Sequence, residues 1–244
     1  MSALLTVAGV TAGYAADIEI LRNLSISIEA GRITGLIGLN GCGKSTLMKT
    51  ICGFLRPGAG TIHYDGADIT GIAPHTLIDR GIWYIPQESS LFPYMSVEDN
   101  LRLPLVRLAR GGAGVDVAAR YEDMLEKFPQ IREKLRAQAG DLSGGQQKML
   151  EFAKAYVVRP RLCLIDEPSI GLAPRVALEV YQWIELFSGQ GMAILLVDHN
   201  VRRVVKMSEY IYVMSLGEIT AEGRRADFEG DLHEQVRSWL GVNF

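Results

Sequence analysis

Short apolar runs and amphipathic stretches alternate along this chain. Residues 4–10 and 18–28 are strand-like. In the second, Leu24, Ile26 and Ile28 alternate with Asn23, Ser25 and Ser27, the period of a strand with one face in water. Arg32-Ile33-Thr34-Gly35-Leu36-Ile37 reads as a buried strand, and Thr46-Leu47-Met48-Lys49-Thr50-Ile51-Cys52 as a helix. Breakers follow in Gly53-Phe54-Leu55-Arg56-Pro57-Gly58. Residues 61–64 predict a short strand with a hairpin turn at Asp65-Gly66, and residues 81–85 a buried strand closed by Pro86.

From Gln87 the pattern becomes helical. Ser96-Val97-Glu98-Asp99 carries a capping signature, Gly111-Gly112-Ala113-Gly114 is a break, and residues 116–127 and 131–136 predict charged helices. The alternation resumes with a helix over 144–158, ended by Arg159-Pro160. Leu162-Cys163-Leu164-Ile165 and residues 192–197 predict strands buried on both faces. Between them lies a helix over 174–188 with Val176, Val180, Trp183, Ile184 and Phe187 on one face. A hairpin around Leu216-Gly217 and a terminal helix complete the chain. This order predicts one α/β domain over 1–244 with a mostly parallel core sheet and some antiparallel strands. Its core would be residues 1–86 and 141–244, with an inserted α-helical subdomain over 87–140.

Composition narrows the class. A formal net charge of −3 gives no electrostatic case for a nucleic-acid partner. The three cysteines, Cys42, Cys52 and Cys163, lack metal-ligand spacing and suit a reducing compartment. No signal peptide is expected, and no apolar run is long enough to cross a bilayer. If the chain works at a membrane, another chain holds it there.

The chemistry starts at Gly38-Leu39-Asn40-Gly41-Cys42-Gly43-Lys44-Ser45-Thr46, which fits G-x-x-x-x-G-K-[ST] between a strand and a helix. Glycines let several N–H groups converge on one anion, and the helix start adds positive potential. Lys44 would reach the β- and γ-phosphates of a nucleotide, and the Ser45 hydroxyl would ligate Mg²⁺. Leu162-Cys163-Leu164-Ile165-Asp166-Glu167 puts two carboxylates at the C-terminal end of a buried strand. Asp166 would hold Mg²⁺ through water, and Glu167 would act as general base on the attacking water. Leu142-Ser143-Gly144-Gly145-Gln146 opens a helix and makes a second anion site. Two such sites on one chain have a use when two copies face head to tail and share each triphosphate.

Together these motifs resemble the ATP-binding subunit of an ABC transporter (the P-loop NTPase ABC ATPase fold), over essentially the whole chain and in the family's order. The resemblance assigns Lys44 and Ser45 to the Walker A loop, Asp166 and Glu167 to Walker B, and Ser143, Gly144, Gly145 and Gln146 to the signature motif. It implies that Gln87 ligates Mg²⁺ and relays to the membrane domain. It implies that His199 contacts the γ-phosphate and that Tyr14 stacks on adenine. Gly38, Asn40, Gly41, Cys42, Gly43 and Thr46 complete the ATP cradle. Leu39 and Cys42 depart from the family's usual proline and alanine. Cys42 raises the expectation of sensitivity to thiol reagents. Ala173 replaces a common aspartate that helps couple the two sites.

Asp68-Ile69-Thr70-Gly71-Ile72-Ala73-Pro74-His75, Phe128-Pro129-Gln130-Ile131 and Gly171-Leu172-Ala173-Pro174 resemble the ATPases of branched-chain amino-acid, urea and amide importers. Asp198-His199-Asn200-Val201-Arg202 and Val236-Arg237-Ser238-Trp239-Leu240-Gly241 also resemble the lipopolysaccharide-export ATPase. The importer is the favoured expectation. It implies permease subunits as partners, gripped near Leu91, Phe92, Pro93 and Tyr94. It also implies a second ATPase chain, identical or related, and indirectly a solute-binding protein. The expected location is the cytoplasmic face of a bacterial membrane. ABC-type ATPases of DNA repair or translation are the other class, as is a nucleotide-binding module without turnover. The absence of long inserts and the presence of Glu167 count against them.

Overall fold

The computed structural model describes residues 3–15, 18–110 and 116–228. The glycine break after 110, the terminal helix and the 236–241 stretch lie outside the described residues. Two sheets organise the rest. One is antiparallel, in the order β2-β1-β4-β5, from β1 (Ala3–Ala12), β2 (Leu21–Glu29), β4 (Ala59–Tyr64) and β5 (Ala67–Asp68). The other has the order β10-β9-β3-β8-β7-β6, from β3 (Ile33–Gly38), β6 (Ile82–Ile85), β7 (Leu162–Asp166), β8 (Ala193–Val197), β9 (Tyr210–Ser215) and β10 (Glu218–Arg224). In this sheet only the β9–β10 hairpin is antiparallel. The mostly parallel α/β core with an antiparallel sheet is the architecture expected from the alternation.

Helices α1 (Lys44–Ile51), α5 (Gly144–Val158), α6 (Pro174–Gly189) and α7 (Val201–Met207) connect the core strands. Between β6 and α5 lie α2 (Val97–Arg110), α3 (Val117–Lys127) and α4 (Pro129–Arg132). Every residue of β7 and β8 is buried, because both faces are covered. Alternation sorts their side chains. Leu162, Leu164 and Leu195 pack with the antiparallel sheet and α1, whereas Cys163, Ile165 and Ile194 pack with the helical layer.

Three local expectations change. Residues 18–20 are not strand: Ile18 forms one bridge to Ala15, and β2 starts at Leu21. The helix expected over 131–136 is a single turn begun by Pro129, whose fixed φ suits a first helical position. The chain then runs in turns to a bridge between Gln138 and Ser96. Trp83 and Tyr84 are half-buried, because β6 is the sheet edge and pairs only with β7. The hairpin at Leu216-Gly217 has φ of 48° and 88°. A Cβ on Gly217 would lie 2.0 Å from the carbonyl oxygen of Ile20, so only glycine fits.

Register sets the site. Ile85 stands beside Ile165, Asp166 beside Val197, and Leu36 beside Val197. The carboxyl ends of β3, β6, β7 and β8 therefore open onto one edge, where ligands bind in open α/β sheets.

Candidate functional site

The loop after β3 turns through Gly41 and Gly43, with φ of 79° and 112°, and enters α1. No side chain caps that helix, so its first N–H groups are left for an anion. Substituting Gly43 would drive a Cβ to 2.7 Å from the Met214 methyl, so the bend is also packed shut from behind. Lys44 is 6% exposed and folds over its own loop, donating from Nζ to the carbonyls of Gly38 and Leu39, both at 2.9 Å. The ammonium is thus held at the mouth of the curl by neutral acceptors, which leaves its charge unpaired for a phosphate. Leu39 faces solvent, off the curl. Cys42 is buried, and that burial pushes its thiol pKa up despite Lys44. The thiol-reagent sensitivity expected from its position therefore gains no support: little thiolate forms and access is poor.

Asp166 ends β7 and is 1% exposed. Burial raises its pKa, opposed by the Ser45 hydroxyl, Tyr84, Lys44 and Lys49. Tyr84 Oη donates to Oδ2 at 3.3 Å, whereas Oδ1 is buried without a partner. An orphan carboxylate oxygen beside a serine hydroxyl is a fit for a hard divalent ion. Among the described residues no group of three acidic, His or Cys side chains could hold a metal by itself. The donor set therefore suits an ion that takes its remaining oxygens from phosphate and water. Glu167 follows with φ of 45° and a backbone bond from its N–H to the Val197 carbonyl at 2.8 Å. A left-handed glutamate is uncommon, and here it turns the chain sharply off the strand end.

His199 follows β8 and is half exposed; its Nδ1 lies 3.2 Å from Asp198 Oδ1. Asp198 is buried and also accepts from the Ser169 hydroxyl at 3.0 Å and from the Asn200 N–H at 2.9 Å. Tyr181 on α6 donates to the same serine oxygen at 3.0 Å. Burial raises the Tyr181 hydroxyl to about 12, so it stays a donor at neutral pH. Gln87 lies exposed just beyond β6. Tyr14 is exposed above α1, with Lys49 Nζ 5.6 Å from its ring centroid.

The structure thus brings Lys44, Ser45 and Asp166 together and puts Gln87, Glu167 and His199 just beyond the ends of neighbouring strands, with Tyr14 over Lys49 of α1. Ser143, Gly144, Gly145 and Gln146 lie on a different element, at the start of α5. Ser143 and Gln146 complete a capping box, with Gln146 N–H to Ser143 Oγ at 3.4 Å and Ser143 N–H to Gln146 Oε1 at 3.1 Å. Gly145 faces Val176, whereas a Cβ on Gly144 would meet nothing within 4 Å. Sequence reasoning missed the supporting residues Tyr84, Ser169 and Tyr181. No spacing rule joins them to the motifs, because they meet only through the fold. Asp198 had a signal: it adjoins His199 at the end of a buried strand.

A phosphate-binding curl, a buried acidic strand end and a helix-opening glycine turn on one mixed sheet define a nucleotide-binding protein of the phosphate-loop class. Residues 21–170 match the family model described as ABC transporter. The high-affinity branched-chain amino acid transport ATP-binding protein BraG of Pseudomonas aeruginosa is 34% identical over 209 residues, 84% of this chain and 87% of that protein. The lipopolysaccharide export system ATP-binding protein LptB of Escherichia coli is 33% identical over 227 residues, 93% of this chain and 92% of that one. A crystal structure of the ADP conformation of an ATP-binding cassette of an ABC transporter superposes with a TM-score of 0.83 at 28% identity, covering 100% of both chains. The chain belongs to the ABC transporter family, as an ATP-binding subunit that hydrolyses ATP.

Proposed function

We propose that this ATPase works as one of a head-to-tail pair that powers uptake of branched-chain amino acids or a related amino acid, urea or amide. The observation that carries the pairing is that the two anion-binding turns sit on different elements. The loop at residues 38–46 lies beside Asp166, whereas Ser143 and Gly144 are exposed at the start of α5. In the pair, the turn of one chain caps the γ-phosphate held by the loop of the other. The solute class rests on the resemblance to BraG and on the segments around Pro74, Pro129 and Pro174.

Within each site, Lys44 holds the β- and γ-phosphate oxygens, the backbone of residues 41–46 cradles them, and Tyr14 stacks on adenine. Ser45, Asp166 and Gln87 would hold Mg²⁺, which supplies charge neutralisation on the phosphates. Glu167 takes the proton of the attacking water. His199, oriented by Asp198, contacts the γ-phosphate side. Residues 87–140 act as the helical subdomain that moves when nucleotide closes the pair.

The membrane side is read from the loop after Gln87. Phe92 and Tyr94 are exposed, at 53% and 89%. The backbone beneath them is firm: buried Asn100 accepts from the Phe92 N–H at 2.9 Å and donates to its carbonyl at 3.0 Å. Rigid backbone under outward aromatics suits a docking surface for a permease subunit. No helix among the described residues is long and apolar enough to cross a membrane, so anchoring at the cytoplasmic face would come from that partner. A solute-binding protein would join only through the permeases.

The similarity to LptB over nearly the whole chain supports a second reading, an exporter ATPase. Pull-down of the tagged protein from detergent-solubilised native membranes tests both. Two permeases with a second, related ATPase are expected. A lipopolysaccharide-export permease pair with this ATPase alone would favour the exporter. Recovery of ribosomes or DNA-repair factors without permeases would contradict transport.

A further inference from the structure

Three buried charges on α5 take no part in the chemistry described so far. Lys148, Glu151 and Lys154 are 9%, 2% and 5% exposed. Their three-residue spacing puts them along one side of the helix. Lys148 Nζ pairs with Glu151 Oε2 at 2.7 Å. The other contacts run to one short segment. Glu151 Oε1 accepts from the Ser90 N–H at 2.6 Å and from its hydroxyl at 3.2 Å. Lys154 Nζ donates to the Ser90 carbonyl at 3.3 Å, and Lys148 Nζ to the Pro86 carbonyl at 3.4 Å. Both feet of an arch, Pro86 and Ser90, are therefore tied to α5, and Gln87, Glu88 and Ser89 project from it into solvent.

Stability does not account for this arrangement. Only Lys148 forms an ion pair with Glu151, and the Lys154 ammonium is buried against a carbonyl, so a charge is buried without a salt-bridge partner. Apolar side chains of similar volume would hold a helix in a core at least as well. Apart from the single ion pair, these bonds fix the position of the 86–90 segment. That segment carries Gln87 and leads to the exposed Phe92 and Tyr94.

We infer that Glu151, with Lys148 and Lys154, is a positioning set for Gln87, holding both feet of the Gln87 arch on α5. The inference rests on the proposed role of Gln87.

A double-mutant cycle on the ATPase activity of the full chain tests it, using Gln87→Ala, Glu151→Gln and the combination. Each single variant is expected to lower kcat about tenfold, inside the hundredfold that an ångström of misplacement can cost, with KM for ATP near wild type. The double variant should be no slower than the slower single. Losses that multiply to about a hundredfold would mean that Glu151 acts on folding or elsewhere, and would overturn the proposal. So would wild-type kcat in Glu151→Gln beside an impaired Gln87→Ala. Wild-type turnover in Gln87→Ala would instead sink the reading of Gln87. Amide hydrogen exchange then decides the clamp by itself: faster exchange over 86–91 with unchanged exchange over 38–46 is expected in Glu151→Gln, and no change would refute it. If Glu151→Gln does not fold, Lys154→Met replaces it in both measurements, with the same outcomes.

Discussion

The loop after β3 and the turn that opens α5 are both glycine-rich helix starts, yet the chain finishes them differently. The loop is backed from the core side, while Leu39, Asn40 and Gly41 face solvent. Lys44 and Asp166 are buried, Gly43 is closed off by Met214, and Asp166 keeps an unpartnered oxygen. The turn is satisfied within itself by the Ser143–Gln146 capping box and leaves open space beside Gly144. A buried site with unmet polar groups awaits a small ligand. On the head-to-tail proposal, a surface turn with met hydrogen bonds and bare backbone would meet a partner's surface. One fold would then carry a ligand-binding strand end and, at a helix start, a turn that completes the partner's site.

The largest effect should come from the buried half. Glu167→Gln is expected to lower turnover about a thousandfold, within the range for loss of a general base. ATP binding should persist, trapping an ATP-bound pair visible by light scattering. Turnover near wild type would remove Glu167 from the mechanism. Gly144→Ala sharpens the contrast. Alanine fits the open space and is the better helix former, so the melting temperature should hold or rise slightly. Turnover should nevertheless fall about tenfold, because the added methyl stands where a partner's phosphate would approach. Equal losses of stability and activity would mean that the turn is only structural.

Both halves were legible in the sequence, because each is a local pattern with a fixed backbone consequence. Glycines at fixed spacing, two acids after four apolar residues, and Ser-Gly-Gly before a helix need no tertiary information. What joins them was not legible. Tyr84 reaches Asp166 from a neighbouring strand, Tyr181 reaches Ser169 from α6, and Glu151 reaches Ser90 across 61 residues. Such contacts depend on register and crossing geometry, which composition and period do not encode. The misplaced helix over 131–136 has a similar cause: the pull of Gln138 toward Ser96 overrides helix propensity.

Smaller effects probe the connection. Burial holds the Lys154 ammonium below the ordinary lysine pKa, partly offset by Glu151. Between that lowered value and about 10.4 the unfolded chain keeps the proton and the folded chain loses it. Stability should therefore rise as pH climbs through that window. Lys154→Met should flatten this slope in urea unfolding, with a change of about 1 kcal/mol at neutral pH. An unaltered slope would place the titration elsewhere. Least affected should be Cys42. Alkylating reagents at neutral pH should modify it slowly and leave turnover within about twofold, since its thiol is buried and its pKa raised. Fast modification with loss of ATPase activity would mean that the loop opens far more than its packing implies.

The sharing of each ATP between a loop and a partner's turn is tested most directly by complementation. Lys44→Ala disables the loop and Ser143→Arg the turn, so each variant alone should be inactive. In a mixed pair, one site combines both defects and the other is wholly intact, so mixing the two purified variants should restore ATP hydrolysis. Mixtures that stay inactive, or a Ser143→Arg chain that hydrolyses ATP unaided, would contradict the head-to-tail account.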